Sequence, residues 1–336
     1  MFRRFVITLP VLLALFATAP RAQEVNVYSY RQPDLVKPLF DAFSRATGIR
    51  VNVAFLNKGL IERLRAEGKR SPADVVLTVD IARLSALAEA DVIQPVDSSV
   101  LRANIPANFR DSENRWFGLT SRARVVFASK ERVEPGAITT YQDLADPRWR
   151  GRICVRAGTH AYNLALFAAL IAHDGVQAAK DWLAALRANL ARKPQGNDRG
   201  QIKAIWAGEC DISLGNTYYM GAMLARPDQR EWADAVTIVF ARFEGGGTHV
   251  NLSGMAMTKA APHPDNALKL MEFLSSPDAQ AIYAAQNFEY PVNTQVPPGD
   301  AVAAWGTFTA DDVPLDRLAA LRATALRLVQ EVHFDQ

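Results

Sequence analysis

The sequence predicts an α/β fold of two lobes with a hinge and an interlobe cleft, and three features carry that prediction. A strand-helix rhythm runs over residues 24–90, one long alternating strand spans Trp116 to Ser129, and a second strand-helix series follows before Asn251 to Thr258 leads back. A chain that builds one lobe, crosses to another and returns has at least two connecting strands. A cleft built this way closes on a ligand like a hinge. The competing arrangement is one doubly wound domain with a helical tail, which a length of 336 residues disfavours.

In the first lobe, Glu24 to Tyr30 reads as a strand through Val25 and Val27, and a helix from Pro33 places Leu35, Leu39, Phe40 and Phe43 on one face. Val51, Val53 and Phe55 alternate as a second strand, Gly59 to Glu67 is helical, Asp74 to Val79 is a short apolar strand, and Ile81 to Ala90 is helical again. The rhythm predicts a parallel sheet with helices on both faces. The alternating strand carries Phe117, Leu119, Val125, Val126 and Phe127, with Arg122 and Arg124 embedded among them. Beyond it lie a strand at Arg152 to Arg156, helices from His160, Val176 to Leu190 and Asp198 to Ala207, a strand at Asp211 to Leu214, a helix from Thr217 and a strand at Ala235 to Ala241. After the returning strand the chain is helical at Pro264 to Leu274, Asp278 to Gln286 and Pro314 to Val332. The expected division is a leader over residues 1–22, a first lobe of 23–118 plus about 251–336 with the C-terminal helices, and a second lobe of 119–250.

The leader reading rests on a basic start with Arg3 and Arg4, an apolar run from Phe5 to Ala17 and small residues up to Ala22. The run is shorter than the ~20 residues of a membrane span, so a cleaved export signal fits better than an anchor. The protein is then expected outside the cytoplasm with no membrane span. In an oxidising compartment Cys154 and Cys210 can pair as a disulfide, the alternative being two separate buried thiols. Of the 38 basic residues, three lie in the first 22, which hold no acid; the remaining 35 meet 35 Asp and Glu. A neutral body of this kind argues against a general nucleic-acid binder.

Common catalytic and cofactor patterns are missing: no GxGxxG follows the first strand, and there is no Walker loop, HExxH or GxSxG. The histidines 160, 173, 249, 263 and 333 are scattered without zinc-like spacing. Tyrosine placement is more informative. Tyr162 lies eight residues after Cys154 and Tyr218 eight after Cys210, each time across a strand, a turn with glycine (Gly158 or Gly215) and a helix start. With Thr217 as N-cap, Tyr162, Tyr218 and Tyr219 would all sit at helix N-termini on the carboxyl side of the sheet, where open α/β sheets bind ligands and the helix dipole favours negative charge. Phenols keep their protons at neutral pH unless a cation drives them off. Tyrosinate is a hard anionic oxygen suited to ferric iron, and three of them cancel its charge. The plainer alternative is an amphipathic Tyr-Tyr edge with Tyr162 as an unrelated core residue.

The stretches VYSYRQ (Val27 to Gln32), SPADVVLTVD (Ser71 to Asp80), WFGLTSRARV (Trp116 to Val125), CVRAGTHAYN (Cys154 to Asn163), NLARKPQG (Asn189 to Gly196), GNTYYMG (Gly215 to Gly221) and EYPVN (Glu289 to Asn293) resemble the periplasmic ferric-ion-binding proteins of bacterial ABC transporters. The likeness covers nearly the whole chain after the leader, and GNTYYMG with the AYN segment is its specific part. It implies a periplasmic-binding-protein fold of type II-like form, a monomer that takes Fe³⁺ with Tyr162, Tyr218 and Tyr219 beside a synergistic anion such as carbonate or bicarbonate, and an inner-membrane ABC permease as partner. Family members that add a first-lobe His and Tyr carry them where this chain has Gln32 and Pro33. Tyr30 is the nearby substitute ligand, with packing beside the site as its alternative role. Arg122 is the candidate to hold the anion or screen the phenolates, with a salt bridge at the crossover as its alternative role. Asp80 and Asn57 are placed at the first-lobe wall or, respectively, as a strand end and a helix cap. Another solute in the same fold, thiamine or an oxyanion, is the runner-up; a secreted α/β hydrolase is the rival from a different class.

Overall fold

A computed structural model describes residues 23–56 and 58–336. The expected leader and Asn57 lie outside the described residues.

The first lobe starts with β1 (Glu24–Ser29), α1 (Pro33–Thr47), β2 (Arg50–Phe55), α2 (Leu60–Glu67), β3 (Val75–Thr78), α3 (Ile81–Glu89), β4 (Ile93–Gln94) and α4 (Ser99–Asn104). Proline at the start of α1 costs no hydrogen bond, and Gly48 ends it in the left-handed conformation (φ 72°), its N–H reaching the Ser44 carbonyl. The buried face is Val36, Leu39, Phe40 and Phe43, a 3.6-residue stripe packed on Val25 and Val27 of β1. Asp80 caps α3, its carboxylate accepting from Arg83 N at 3.0 Å.

The chain then crosses on β5 (Phe117–Ser129), buried along its whole length, into β6 (Ile153–Cys154), α5 (Ala161–Asp174), α6 (Val176–Ala188), α7 (Asp198–Trp206), β7 (Ile212–Asn216), α8 (Thr217–Leu224), α9 (Arg230–Asp234) and β8 (Val236–Val239). It returns on β9 (Val250–Thr258) and ends with α10 (Pro264–Ser275), α11 (Pro277–Asn287), β10 (Tyr290–Pro291), α12 (Asp300–Ala303) and α13 (Leu315–Glu331).

The strand order is β2-β1-β3-β9-β5-β7-β6, with β4 on β9 and both β8 and β10 on β5. Strands β1, β2 and β3 are parallel, as are β6 and β7, but β9 runs antiparallel to β3 and β5, and β5 antiparallel to β7. The sheet is therefore mixed where the strand-helix rhythm predicts a parallel one. The cause is the crossing itself: one strand leaves the first lobe and another re-enters it, so the central pair must run in opposite directions. From Phe117 to Ala123 β5 pairs with β9; from Arg124 onward it pairs with β7 and β8.

The last helix departs from the expectation that the C-terminal helices accompany the first lobe. α13 packs chiefly along α5 and touches α6 as well as α3. Gly158 explains part of this docking: a Cβ there would lie 2.6 Å from Phe334 Cδ1, so only glycine admits the ring, and its N–H donates to Asp335 Oδ1 at 2.6 Å.

Cys154 and Cys210 are bonded, with Cα atoms 5.9 Å apart. The bridge ties the end of β6 to the chain entering β7. Closing a sequence separation of 56 residues removes unfolded-state entropy worth ~4 kcal/mol. A Cys154→Ser/Cys210→Ser protein should melt several degrees below the wild type in far-ultraviolet circular dichroism, and a reductant should lower the wild type alone. Equal melting temperatures under all conditions would refute a stabilising bridge.

Candidate metal centre

Tyr162 is the second residue of α5, and Tyr218 and Tyr219 are the second and third of α8. Strands β6 and β7 are parallel neighbours, with Ile153 opposite Ile212 and Cys154 opposite Ser213, so the two helices that follow start side by side. Tyr218 Oη donates to Tyr162 Oη at 3.2 Å, and the Tyr218 and Tyr219 rings stack at a tilt, with centroids 4.3 Å apart. The fold thus brings all three phenols together.

The caps differ from expectation at one end. His160 caps α5, its Nδ1 accepting from Tyr162 N at 3.2 Å. At α8, however, Thr217 is the first helical residue and not the cap, and its buried hydroxyl has no partner among the described residues. Asn216 holds the cap position, but its side chain accepts from Arg124 Nη1 at 3.1 Å and so makes no cap bond. The neighbouring charge draws the carboxamide away from the helix end.

Below the phenols lies a buried ionic network. Arg124 Nη1 donates to Asp198 Oδ2 at 2.8 Å and its Nη2 to Asn163 Oδ1 at 2.6 Å; Arg156 Nη1 donates to Asp198 Oδ1 at 2.9 Å, and Asn216 N donates to Asp198 Oδ2 at 3.0 Å. One fully buried carboxylate therefore ties together β5, the turn before α5 and the start of α8. The guanidinium carbons of Arg122, Arg124 and Arg156 lie 5.9, 5.8 and 5.2 Å from the centre of the Tyr162 ring, and that of Arg199 lies 5.5 Å from the Tyr219 ring. Four guanidinium groups against one carboxylate leave three positive charges around the phenols. Arg122 makes no salt bridge among the described residues: it donates to Ser253 Oγ at 3.2 Å and to the Val79 carbonyl, and it lines the cleft.

Burial pushes the Tyr218 hydroxyl well above the ordinary phenol range, reinforced by Tyr162 and Tyr219 and opposed by Arg122. Tyr219 is raised by burial and then by Asp198. His160 is held neutral, lowered to about 4 by burial and then by Arg156. Without a cation Tyr218 and Tyr219 keep their protons; a trivalent ion at their oxygens reverses that balance. Among the described residues no group of three or more His, Cys, Asp or Glu forms an alternative metal site.

The phenols face a cleft of about 870 Å³ whose other wall includes Tyr30, Gln32, Pro33, Leu35, Phe55 and Arg83 from the first lobe. Tyr30 reaches the cleft, but its hydroxyl accepts from Leu60 N at 3.0 Å at the start of α2, and Arg83 stacks on its ring at 4.2 Å. No hydrogen bond joins it to the other three phenols among the described residues. Sequence reasoning missed Arg156, Asp198 and Arg199. A signal for part of the network existed: Arg124 lies in an apolar strand, and a buried arginine is rarely left without a carboxylate.

Two α/β lobes joined by antiparallel crossing strands, with polar groups of both walls gathered in the cleft between them, define a solute-binding protein. The chain belongs to the family of bacterial extracellular solute-binding proteins, whose model matches residues 70–308. It is 43% identical over 94% of its length, and 88% of the relative's, to iron uptake protein A1 of Synechocystis sp.. In structure it is similar to Mannheimia haemolytica ferric iron-binding protein A in an open conformation, at 51% identity and a TM-score of 0.90, covering 94% of this chain and 100% of that one. It is also similar to a Trichodesmium protein solved in complex with iron and citrate ligands, at 41% identity and a TM-score of 0.89, covering 93% and 99% of the two chains.

Proposed function

We propose that this protein captures Fe³⁺ in the periplasm and delivers it to an inner-membrane ABC permease, with Tyr162, Tyr218 and Tyr219 as tyrosinate ligands and an exogenous anion completing the site. The observation that carries this reading is the gathering of the three phenols beside arginines, Tyr218 Oη 3.2 Å from Tyr162 Oη and the Tyr219 ring stacked on that of Tyr218. Three phenolates neutralise the ferric charge. The remaining positive charge, with Arg122 paired to no carboxylate among the described residues, then calls for an anion such as carbonate or bicarbonate. The names of the relatives, which describe iron uptake and ferric iron binding, support the cargo.

The lobes of this reading meet near Ala123, where β5 changes partners, and at its neighbour Val250, the first residue of β9, and the hinge of this reading lies in those two strands. Closure brings the wall of Leu35 and Phe55 over the bound ion. Iron is cargo and no covalent step is required, so the reading is of a carrier and not an enzyme, acting as a monomer. Export by an N-terminal signal is part of the same proposal; no helix of the described residues is long and apolar enough to cross a membrane. A flat organic cation such as thiamine fits less well. The rings of Tyr162 and Tyr219 already carry guanidinium groups, which would repel it.

Titration of the metal-free protein with ferric citrate, with and without bicarbonate, tests the reading. A visible phenolate-to-iron charge-transfer band that saturates at one equivalent is expected, strengthened by bicarbonate. A colourless protein that instead binds thiamine would overturn the assignment.

A further inference from the structure

Asn287, the last residue of α11, lines the cleft and is 7% exposed, yet neither its Nδ2 nor its Oδ1 has a hydrogen-bond partner among the described residues. A buried carboxamide with both ends unpaired bears a desolvation cost that only a partner can offset. Its setting is built at further cost. Phe288, which follows it, is in the left-handed conformation (φ 53°), a place at helix ends where glycine is usual. The reason for an aromatic there is visible on α8: a Cβ at Gly221 would lie 2.3 Å from Phe288 Cγ, so the ring seats on the glycine three residues after Tyr218, on the same helix face. On its other side, Glu289 accepts from Arg31 and, at 2.7 Å, from Thr120 Oγ1, while Tyr290 pairs with Ser121 of β5. Asn287 is thus clamped between the phenol-bearing helix and the crossing strand, its carboxamide without a partner among the described residues.

We propose that Asn287 is a ligand-positioning residue of the ferric site, which holds a small oxygen ligand carrying both a hydrogen and a free lone pair: hydrogencarbonate or a water on the iron. A carboxamide donates through Nδ2 and accepts through Oδ1. A fully deprotonated carbonate or carboxylate satisfies the first and repels the second, whereas hydrogencarbonate or coordinated water satisfies both. The proposal rests on the ferric reading above and deepens it.

Asn287→Ala tests it in the full-length protein. The expected result is a roughly tenfold loss of ferric affinity by competition with citrate, together with a displaced visible band. The melting temperature of the metal-free protein should stay equal or rise, because an unpaired buried group has been removed. A purely structural role predicts the reverse, a lower melting temperature with an unmoved band, and that outcome overturns the proposal. Asn287→Asp separates the two ligands: loss of the bicarbonate enhancement with bicarbonate-free binding intact identifies hydrogencarbonate, and retention of both identifies water. Wild-type protein without a band overturns the ferric reading itself, whereas a normal wild type with an indistinguishable Asn287→Ala protein overturns this inference alone.

Discussion

Tyr218→Phe will abolish or strongly displace the visible band and lower ferric affinity by more than the ~10–100-fold that loss of an outer partner of a metal ligand costs. The reason is geometric. Tyr218 Oη is hydrogen-bonded to Tyr162 Oη at 3.2 Å and its ring is stacked on Tyr219, so one atom deleted there removes the proposed anionic donor from the cluster while phenylalanine preserves the packing. The metal-free protein should melt normally, since burial of the hydroxyl disfavours only its charged form. Tyr219→Phe should act in the same direction. Tyr30→Phe is the control: its hydroxyl is engaged by Leu60 N, and the band should persist. If the Tyr218 and Tyr219 variants both keep the wild-type band, the ligand assignment is wrong.

Acid will release the iron steeply. The sign follows from proton linkage. With Tyr218 and Tyr219 raised above the ordinary phenol range, the metal-free protein holds their protons throughout the neutral and mildly acidic range, and under the proposed ligation the loaded protein does not. Protons therefore favour the empty form, and affinity falls as pH falls, with no plateau until the raised phenol values are passed on the alkaline side. If each of three phenols gives up a proton, affinity drops on the order of a thousandfold per pH unit. Measuring the ferric dissociation constant at pH 6, 7 and 8 against a chelator of known proton affinity gives the slope directly. A slope near one proton would leave room for a single tyrosinate and defeat the three-phenol site. His160, at about 4, stays neutral over this range and adds nothing to the slope.

The legible parts of the molecule are those written in short-range pattern. The stripe Val36, Leu39, Phe40 and Phe43 and the alternation of β1 specify their elements locally, and the matched Cys-to-Tyr spacing places the phenols at equivalent turns because both follow strands of one parallel pair. Asp198 shows where legibility stops. Read along the chain it opens a helix; in the fold its side chain is the shared acceptor for Arg124 and Arg156 and carries the start of α8. Asn287 likewise reads as an ordinary helix end, and only the fold shows Phe288 seated on Gly221 beside it and the cleft that it lines.

The sequence by itself determined two lobes, a crossing and a returning strand, and three phenols at helix starts, because each depends on hydrophobic period or on spacing within about ten residues. The tertiary structure alone decided that the central strands run antiparallel, that α13 docks on α5, and which charge answers which. Partners such as Arg124 and Asp198, 74 residues apart, or Arg31 and Glu289, 258 apart, meet only because burial removes water and leaves each charge to find its opposite within the folded chain.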